Sequence, residues 1–233
     1  MRKRKRLGQH FLASENVAKS IVSAANLTKN DVVLEIGTGR GILVPLLCNK
    51  AKKVISIEYD KVLYHDAALK FSNISNLSLK HGNGFKTNEK FSVFVSNLPY
   101  SQSRKAIEWL IQKNYSKAVI MVQEDFAKKL LNNKNHKAIS VLVNYAAELT
   151  PILNVKKTNF FPQPKVHSTV IKLTRKKSVS KNLIQTVHKL FSFRRKTLQN
   201  ILKQFGQNMQ SEKRLDDLTG DEIIKIAKRI NKK

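Results

Sequence analysis

The chain has 233 residues, 41% of them hydrophobic, which is enough for a packed core and excludes a disordered polymer. Lys and Arg number 44 against 16 Asp and Glu, a formal charge of +28, so the expected partner is a polyanion, with nucleic acid ahead of an anionic membrane surface. The single cysteine, Cys48, excludes a disulfide framework and a cysteine-based zinc site. No apolar run approaches the ~20 residues of a membrane span, and the basic start "MRKRKRLGQHFL" lacks the apolar core of a signal peptide. A cytoplasmic protein is expected.

Helix and strand patterns alternate from residue 14 to about residue 174. Ser14 is placed to cap a helix in which Val17, Ile21, Val22 and Ala25 recur at helical spacing. "DVVLEI" (31–36) is a continuous apolar run, the mark of a strand buried on both faces. "GILVPLLCNK" predicts a helix, 53–58 a second strand and "DKVLYHDAALKF" a second helix. Further strands are predicted at 76–80, 91–96, 117–123, around 139–149 and at 167–173, with helices over 101–113 and 124–131. The alternation predicts an α/β fold with a mostly parallel sheet, and the adjacent late strands an antiparallel edge.

Past residue 174 the polar, basic "TRKKSVSKN" leads into "LIQTVHKLF", "KTLQNILKQF" and "DEIIKIAKRI", which carry helical periodicity alone. The expectation is an α/β domain over 1–175 and a small all-α domain over 176–233. Residues 171–233 hold 17 bases against 5 acids, and no acid lies between Glu148 and Glu212, a span with 13 Lys and Arg. Solvated surfaces usually mix signs, so a one-signed stretch of this length favours a phosphate-binding face.

"VLEIGTGRG" sets Gly37, Gly39 and Gly41 between the first strand and a helix, where glycines permit a tight turn and close approach of a ligand to the backbone. The dinucleotide fingerprint is G-x-G-x-x-G; here Ile42 holds the third position, which suits an adenosyl ligand without a pyrophosphate. Glu58, ending the second strand, is placed to accept hydrogen bonds from ribose hydroxyls. Asn83 in "KHGNGF" follows the third strand and fits either an adenine-amine acceptor or ordinary turn chemistry. The six histidines are scattered without metal-ligand spacing, so no metal is implied.

"FVSNLPYSQS" (94–103) ends an apolar strand in a turn that carries an amide beside an aromatic ring. The N6 amine of adenine is a poor nucleophile because its lone pair is delocalised into the ring. Accepting its two N–H hydrogens frees that lone pair, and the turn offers two acceptors, the Asn97 side-chain carbonyl and the Leu98 backbone carbonyl. Pro99 restricts Leu98 to an extended geometry that aims its carbonyl, and Tyr100 offers a face for a flipped base.

"GQHFL", "EIGTGRG", "IEYD", "NLPY" and "FFPQPKVHS" resemble, in order and spacing, the rRNA adenine N6,N6-dimethyltransferases, which include the small-subunit (16S-type, KsgA-type) enzymes and the erythromycin-resistance enzymes. The resemblance covers essentially the whole chain. It implies a Rossmann-like S-adenosylmethionine (SAM)-dependent methyltransferase sheet with a small C-terminal helical domain. It places the cofactor at His10, Leu12, Gly37, Gly39, Glu58, Asn83 and Asn97, and base stacking at Tyr100 and Phe160. Asn83 stands where the family usually has Asp, and His10 where Asn is frequent. "FSFRRKTLQNIL" and "RLDDLTGDEIIKIAKRI" are similar to the small-subunit enzymes in particular. The resemblance therefore implies dimethylation of two adjacent adenosines in a 3′-end hairpin of small-subunit rRNA, with a role in ribosome biogenesis. Arg194, Arg195 and Lys196, expected on a helix, are the candidate phosphate contacts, and a monomer is expected. The rival readings are a 23S rRNA enzyme conferring macrolide resistance and a non-catalytic RNA-binding assembly factor.

Overall fold

The computed structural model describes residues 9–132 and 137–232. Contacts divide the chain into two compact units. The first runs to Ala106 and takes in Asn114–Ala127 and Leu149–Thr174, and the second holds Ile107–Lys113, Lys128–Glu148 and the chain from Arg175 onward. The second unit is continuous from Arg175 onward, and two earlier segments also belong to it.

A two-residue strand, β1 (Phe11–Leu12), precedes α1 (Glu15–Ala24), whose N-cap Ser14 accepts from the Val17 amide at 3.4 Å. Next come β2 (Val32–Ile36), α2 (Val44–Lys50), β3 (Lys53–Glu58), α3 (Lys61–Lys70) and β4 (Leu77–His81). Pro45 sits in the first turn of α2, where its missing N–H has no helical partner to lose. Asp60 caps α3, accepting from the Val62 and Leu63 amides at 2.9 and 3.2 Å. The chain continues through β5 (Val93–Ser96), α4 (Ser103–Leu110), β6 (Lys117–Gln123), α5 (Glu124–Leu131), α6 (Ala138–Ala146), β7 (Ala147–Val155), β8 (Phe160–Phe161) and β9 (Ser168–Arg175).

Seven strands form one sheet in the order β4-β3-β2-β5-β6-β9-β7, and β1 and β8 form a separate two-stranded ribbon. The five strands from β4 to β6 pair in parallel, and β9 pairs antiparallel with β6, which supplies the antiparallel edge expected from the sequence. Val33, Leu34, Val54, Val93, Phe94 and Val119 are all fully or nearly fully buried, as strands covered on both faces require.

One predicted element is corrected. Residues 139–149 were expected as a strand, but α6 occupies most of that stretch and the strand begins only at Ala147. Ala138, Ile139, Ser140, Val141, Leu142, Val143 and Ala146 are buried, so this helix is apolar nearly all round. Such a segment carries no amphipathic period, and its β-branched residues read equally well as a buried strand.

In the second unit, α6, α7 (Lys181–Ser192) and α9 (Gly220–Asn231) pack on one another, with α8 (Leu198–Lys203) between the last two in sequence. Thr219 and Glu222 form a reciprocal capping box at the start of α9. The threonine's backbone and hydroxyl hydrogen bonds hold the pKa of the Glu222 carboxyl below the usual carboxylate range. No helix among the described residues is long and apolar enough to cross a membrane.

The turn after β2 tolerates little change. Gly41 has φ of 74°, and a Cβ on it would lie 2.5 Å from Cζ of Phe71, a ring that is itself buried in the core. Gly41→Ala should therefore combine left-handed backbone strain with a steric clash and destabilise the protein by about 2 kcal/mol or more. Urea denaturation that gave an unchanged midpoint would contradict this packing.

Candidate active site

The crossovers from β2 reach β3 on one side, and the chain later returns to place β5 on the other. A sheet whose strand order reverses in this way leaves a crevice beyond the strand ends at the reversal. A cavity of about 460 Å³ lies there, lined by residues of the first unit from Gln9 to Lys105, a size suited to a small cofactor. Ser96 pins the two central strand ends together by donating to the Ile36 carbonyl at 2.6 Å. The glycine turn after β2 and the Asn97-Leu98-Pro99 turn after β5 both open into the cavity.

Glu58, at the end of β3, is almost fully buried and lines the cavity. Its carboxylate accepts from the Gly39 amide and from the Asp60 amide, each at 2.8 Å. It therefore shapes the glycine turn and the start of the next loop, with lone pairs left over for a ligand. Asn83 also lines the cavity, and its side-chain oxygen accepts from the Phe85 amide at 3.1 Å, so the turn chemistry expected at this position is present. His10 reaches the cavity while its Nδ1 donates to the Pro162 carbonyl at 2.7 Å. Leu12, Gly37 and Gly39 complete the cavity-lining residues named from the sequence.

Among the described residues, neither the Asn97 side chain nor the Leu98 carbonyl makes a hydrogen bond within the protein. Two acceptors side by side on a rigid turn, both free and at a cavity, fit an exocyclic amine. Pro99 (φ −51°, ψ 137°) starts the following 3₁₀ turn, Tyr100–Gln102.

The two aromatic residues expected beside the target base lie differently. Tyr100 and Phe160 are not among the cavity-lining residues. The Tyr100 ring is half-buried and roughly parallel to the His10 ring at a centroid distance of 6.0 Å. Its hydroxyl is hydrogen-bonded to Ser168 at 2.7 Å, and burial pushes its pKa up, disfavouring the phenolate. Phe160 is 4% exposed and belongs to the hydrophobic core, so it presents no free face. The basic triplet also departs from expectation. Helix α7 ends at Ser192, so Arg194, Arg195 and Lys196 lie in the turn before α8 rather than on a helix. Arg194 pairs with Asp216 at 2.6 Å, whereas Arg195 and Lys196 are exposed.

Sequence reasoning passed over Glu35. It lies on β2, is 1% exposed and lines the cavity. Ser56 donates to its carboxylate at 2.5 Å, and Thr38 is hydrogen-bonded to Ser56 at 2.6 Å. Burial pushes the Glu35 carboxyl up to about 8; the Ser56 hydrogen bond opposes that and the nearby charge of Glu58 adds to it. The available signal was an acid inside the otherwise apolar run "VVLEI". Arg40 and Lys105 also line the cavity, Lys105 with its ammonium 4.9 Å from the centre of the Phe85 ring.

A cavity built at the strand-order reversal, lined by carboxylates and by a turn with two unengaged oxygen acceptors, is that of a Rossmann-like methyltransferase. The comparisons with known proteins narrow the class. The family model described as ribosomal RNA adenine dimethylase matches residues 1–232, and the chain belongs to that family. It is 33% identical to a probable ribosomal RNA small subunit methyltransferase A of Methanococcus aeolicus, across 100% of this chain and 91% of that protein. Identity to the ribosomal RNA small subunit methyltransferase A of Thermotoga neapolitana is 32%, across 97% of this chain and 91% of that one. Among solved structures, a dimethyladenosine transferase from Plasmodium falciparum superposes with a TM-score of 0.83 at 27% identity, covering 96% of this chain and 98% of that one. The 23S rRNA methyltransferase ErmE shares the fold, with a TM-score of 0.73 at 20% identity over 95% and 99% of the two chains.

The raised Glu35 carboxyl has a consequence for stability. Its folded value of about 8 lies above the ordinary 4.5, so between these limits the folded protein holds a proton that the unfolded chain releases. The stability so gained is complete below the lower limit and is lost as pH rises through the upper one. In thermal melts of the cofactor-free protein, Glu35→Gln should show a shallower fall in Tm from about pH 5 to about pH 8 than the wild type. Equal slopes would mean that Glu35 is ionised in the fold.

Proposed function

We propose that the protein dimethylates N6 of two adjacent adenosines in a 3′-end hairpin of small-subunit rRNA. What carries the reading is the pair of unengaged acceptors, Asn97 and the Leu98 carbonyl, at the cavity of a chain belonging to the rRNA adenine dimethylase family. The relatives named as small-subunit enzymes support the choice of rRNA.

The cavity's carboxylates, backbone turn and volume fit SAM, which supplies an electrophilic methyl group on a sulfonium. Glu58 and Asn83 would hold its ribose and adenine, and the backbone at Gly37 and Gly39 would lie along it, with His10 and Leu12 closing the side opposite the sheet. Glu35 would gain from a cationic ligand, because a positive charge favours its ionised form. Asn97 and Leu98 act on the RNA: they accept the two N–H hydrogens of the target amine and orient its lone pair for attack. Pro99 keeps the Leu98 carbonyl aimed. Catalysis then rests on positioning and on acceptors arranged in advance, and no strong general base is required, because the methylated amine releases its proton to solvent after the transfer. Tyr100 would stack the target base after exchanging its contact with His10, while Phe160 supports the wall from within the core.

The helical domain from residue 176 is read as an RNA-binding module, with Arg195 and Lys196 offered to phosphates and Arg194 held by Asp216. Phosphate contacts position an RNA without reading its sequence, so the choice of hairpin falls to its shape. An accompanying role in small-subunit assembly, a monomeric state and a cytoplasmic site of action belong to the same reading.

Incubating unmethylated small and large subunits with labelled SAM, followed by nuclease digestion and mass spectrometry, tests the assignment. Dimethyladenosine should appear in small-subunit RNA, and its appearance only in large-subunit RNA would overturn the substrate choice. Asn97→Ala should lower methyl transfer by about 100-fold or more with RNA affinity retained, as expected when one preorganised polar group is lost. Activity within a few fold of wild type would remove Asn97 from the chemistry. Reversing the charges of Arg195 and Lys196 should flatten the dependence of RNA affinity on salt by about 0.7 log units per log of salt for each lost phosphate contact. An unaltered slope would put the RNA face elsewhere.

A further inference from the structure

The β1–β8 ribbon has two unlike faces. Leu12 pairs with Phe160 and Phe11 with Phe161. Side chains alternate along a strand, and Leu12 and Phe160, each 4% exposed, join the core. On the other face the Arg40 guanidinium lies over both remaining rings, 4.9 Å from the centre of Phe11 and 5.5 Å from that of Phe161. Phe161 nevertheless stays 63% exposed.

A single exposed phenylalanine is unremarkable on a protein surface. Its surroundings are what set this one apart. Among the described residues the Arg40 side chain has no hydrogen bond and no ion pair. A guanidinium held over an aromatic ring without hydrogen-bond partners keeps its N–H groups available, and those groups match a phosphate or a base edge. Arg40 also lines the cofactor cavity, so the pair stands at that cavity's rim. Phe161 lies within the acid-free stretch of the chain, between Lys157 and Lys165. An exposed ring, unpaired donors and an acid-free stretch of chain are together what a single-stranded nucleic acid requires, since every base has a face to stack and every nucleotide a phosphate.

We propose that Phe161 and Arg40 form a nucleobase platform at the cavity rim, on which an RNA base flanking the target adenosine stacks while Arg40 holds its phosphate. The proposal rests on the rRNA-methyltransferase reading for its ligand. It differs from the expectation for Phe160, whose ring is enclosed. Stacking tolerates any base, so the platform holds the strand in place and leaves choice of the target to the cavity.

The test uses the full chain with Phe161→Ala, Phe161→Leu and Phe161→Tyr, assayed on unmethylated small-subunit RNA and titrated with SAM. Loss of one stacked base should raise the KM for RNA roughly tenfold in the Ala and Leu variants. Turnover at saturation and SAM affinity should be unchanged, and Tyr should restore the wild-type KM. Restoration by Leu as well as Tyr would mean simple apolar packing, and an unchanged KM in the Ala variant would remove the platform; either result overturns the proposal. A binding assay with a single-stranded oligonucleotide carrying 2-aminopurine separates this from the enzymatic reading. Quenching of the probe that depends on an aromatic residue at 161 supports the platform even if the wild type transfers no methyl group, an outcome that would refute the proposed function alone. Quenching that is the same in the Ala variant counts against the platform whatever the activity.

Discussion

The site depends on the reversal of strand order between β2 and β5. The crossovers from β2 carry the chain out to β3 and β4, and the return to β5 starts a second series on the other side. The connecting segments therefore leave the two central strands in opposite directions, and no backbone fills the gap between their ends. Ser96 fixes the width of that gap through the Ile36 carbonyl. Every local feature of the cavity is placed relative to this pair of strand ends. Gly37 follows one directly and Asn97 the other, while Glu58 ends the neighbouring strand and ties back to the Gly39 amide.

The protein has two opposite electrostatic tasks. Its total charge of +28 attracts a polyanion from a distance. Yet three of its few acids, Glu35, Glu58 and Asp60, line one cavity, where they suit a small cationic ligand. Hydrogen bonds from backbone amides and from Ser56 keep the two buried carboxylates in place. Glu35 is only partly ionised near neutrality as a result of its burial and of Glu58 beside it. The cost of enclosing two acids is thereby reduced, because one of them can hold a proton until a cation arrives.

Within the helical unit the bases are arranged differently. Lys177 and Lys228 both sit over the Tyr145 ring, at 4.6 and 4.8 Å, and Lys189 and Lys196 lie over Phe205 and Phe193. Aromatic faces hold these ammonium groups with little help from acids, and ammonium groups held in this way keep their charge for an outside partner.

Most of the sheet was legible in the sequence, because strands buried on both faces read as uninterrupted apolar runs bounded by turn residues. Residues 117–123 fall on β6 without adjustment, and 53–58 on β3. The helix α6 was misread because burial on all sides removes the period on which such a reading rests. The ribbon of β1 and β8 was invisible for another reason: two residues carry no period at all, and their pairing joins positions about 150 apart.

The sequence by itself determined the glycine turn, the acid at the end of β3 and the Asn97-Leu98-Pro99 turn, since each is a local backbone requirement written into consecutive residues. Only the tertiary structure decided which aromatic ring is offered to solvent. Phe160 and Phe161 are adjacent and chemically identical, and strand alternation sends one inward and the other outward. It likewise decided that Glu35 belongs to the cavity and that the basic triplet lies on a turn. Burial, register and partner charge depend on residues distant along the chain, so no local stretch of sequence encodes them.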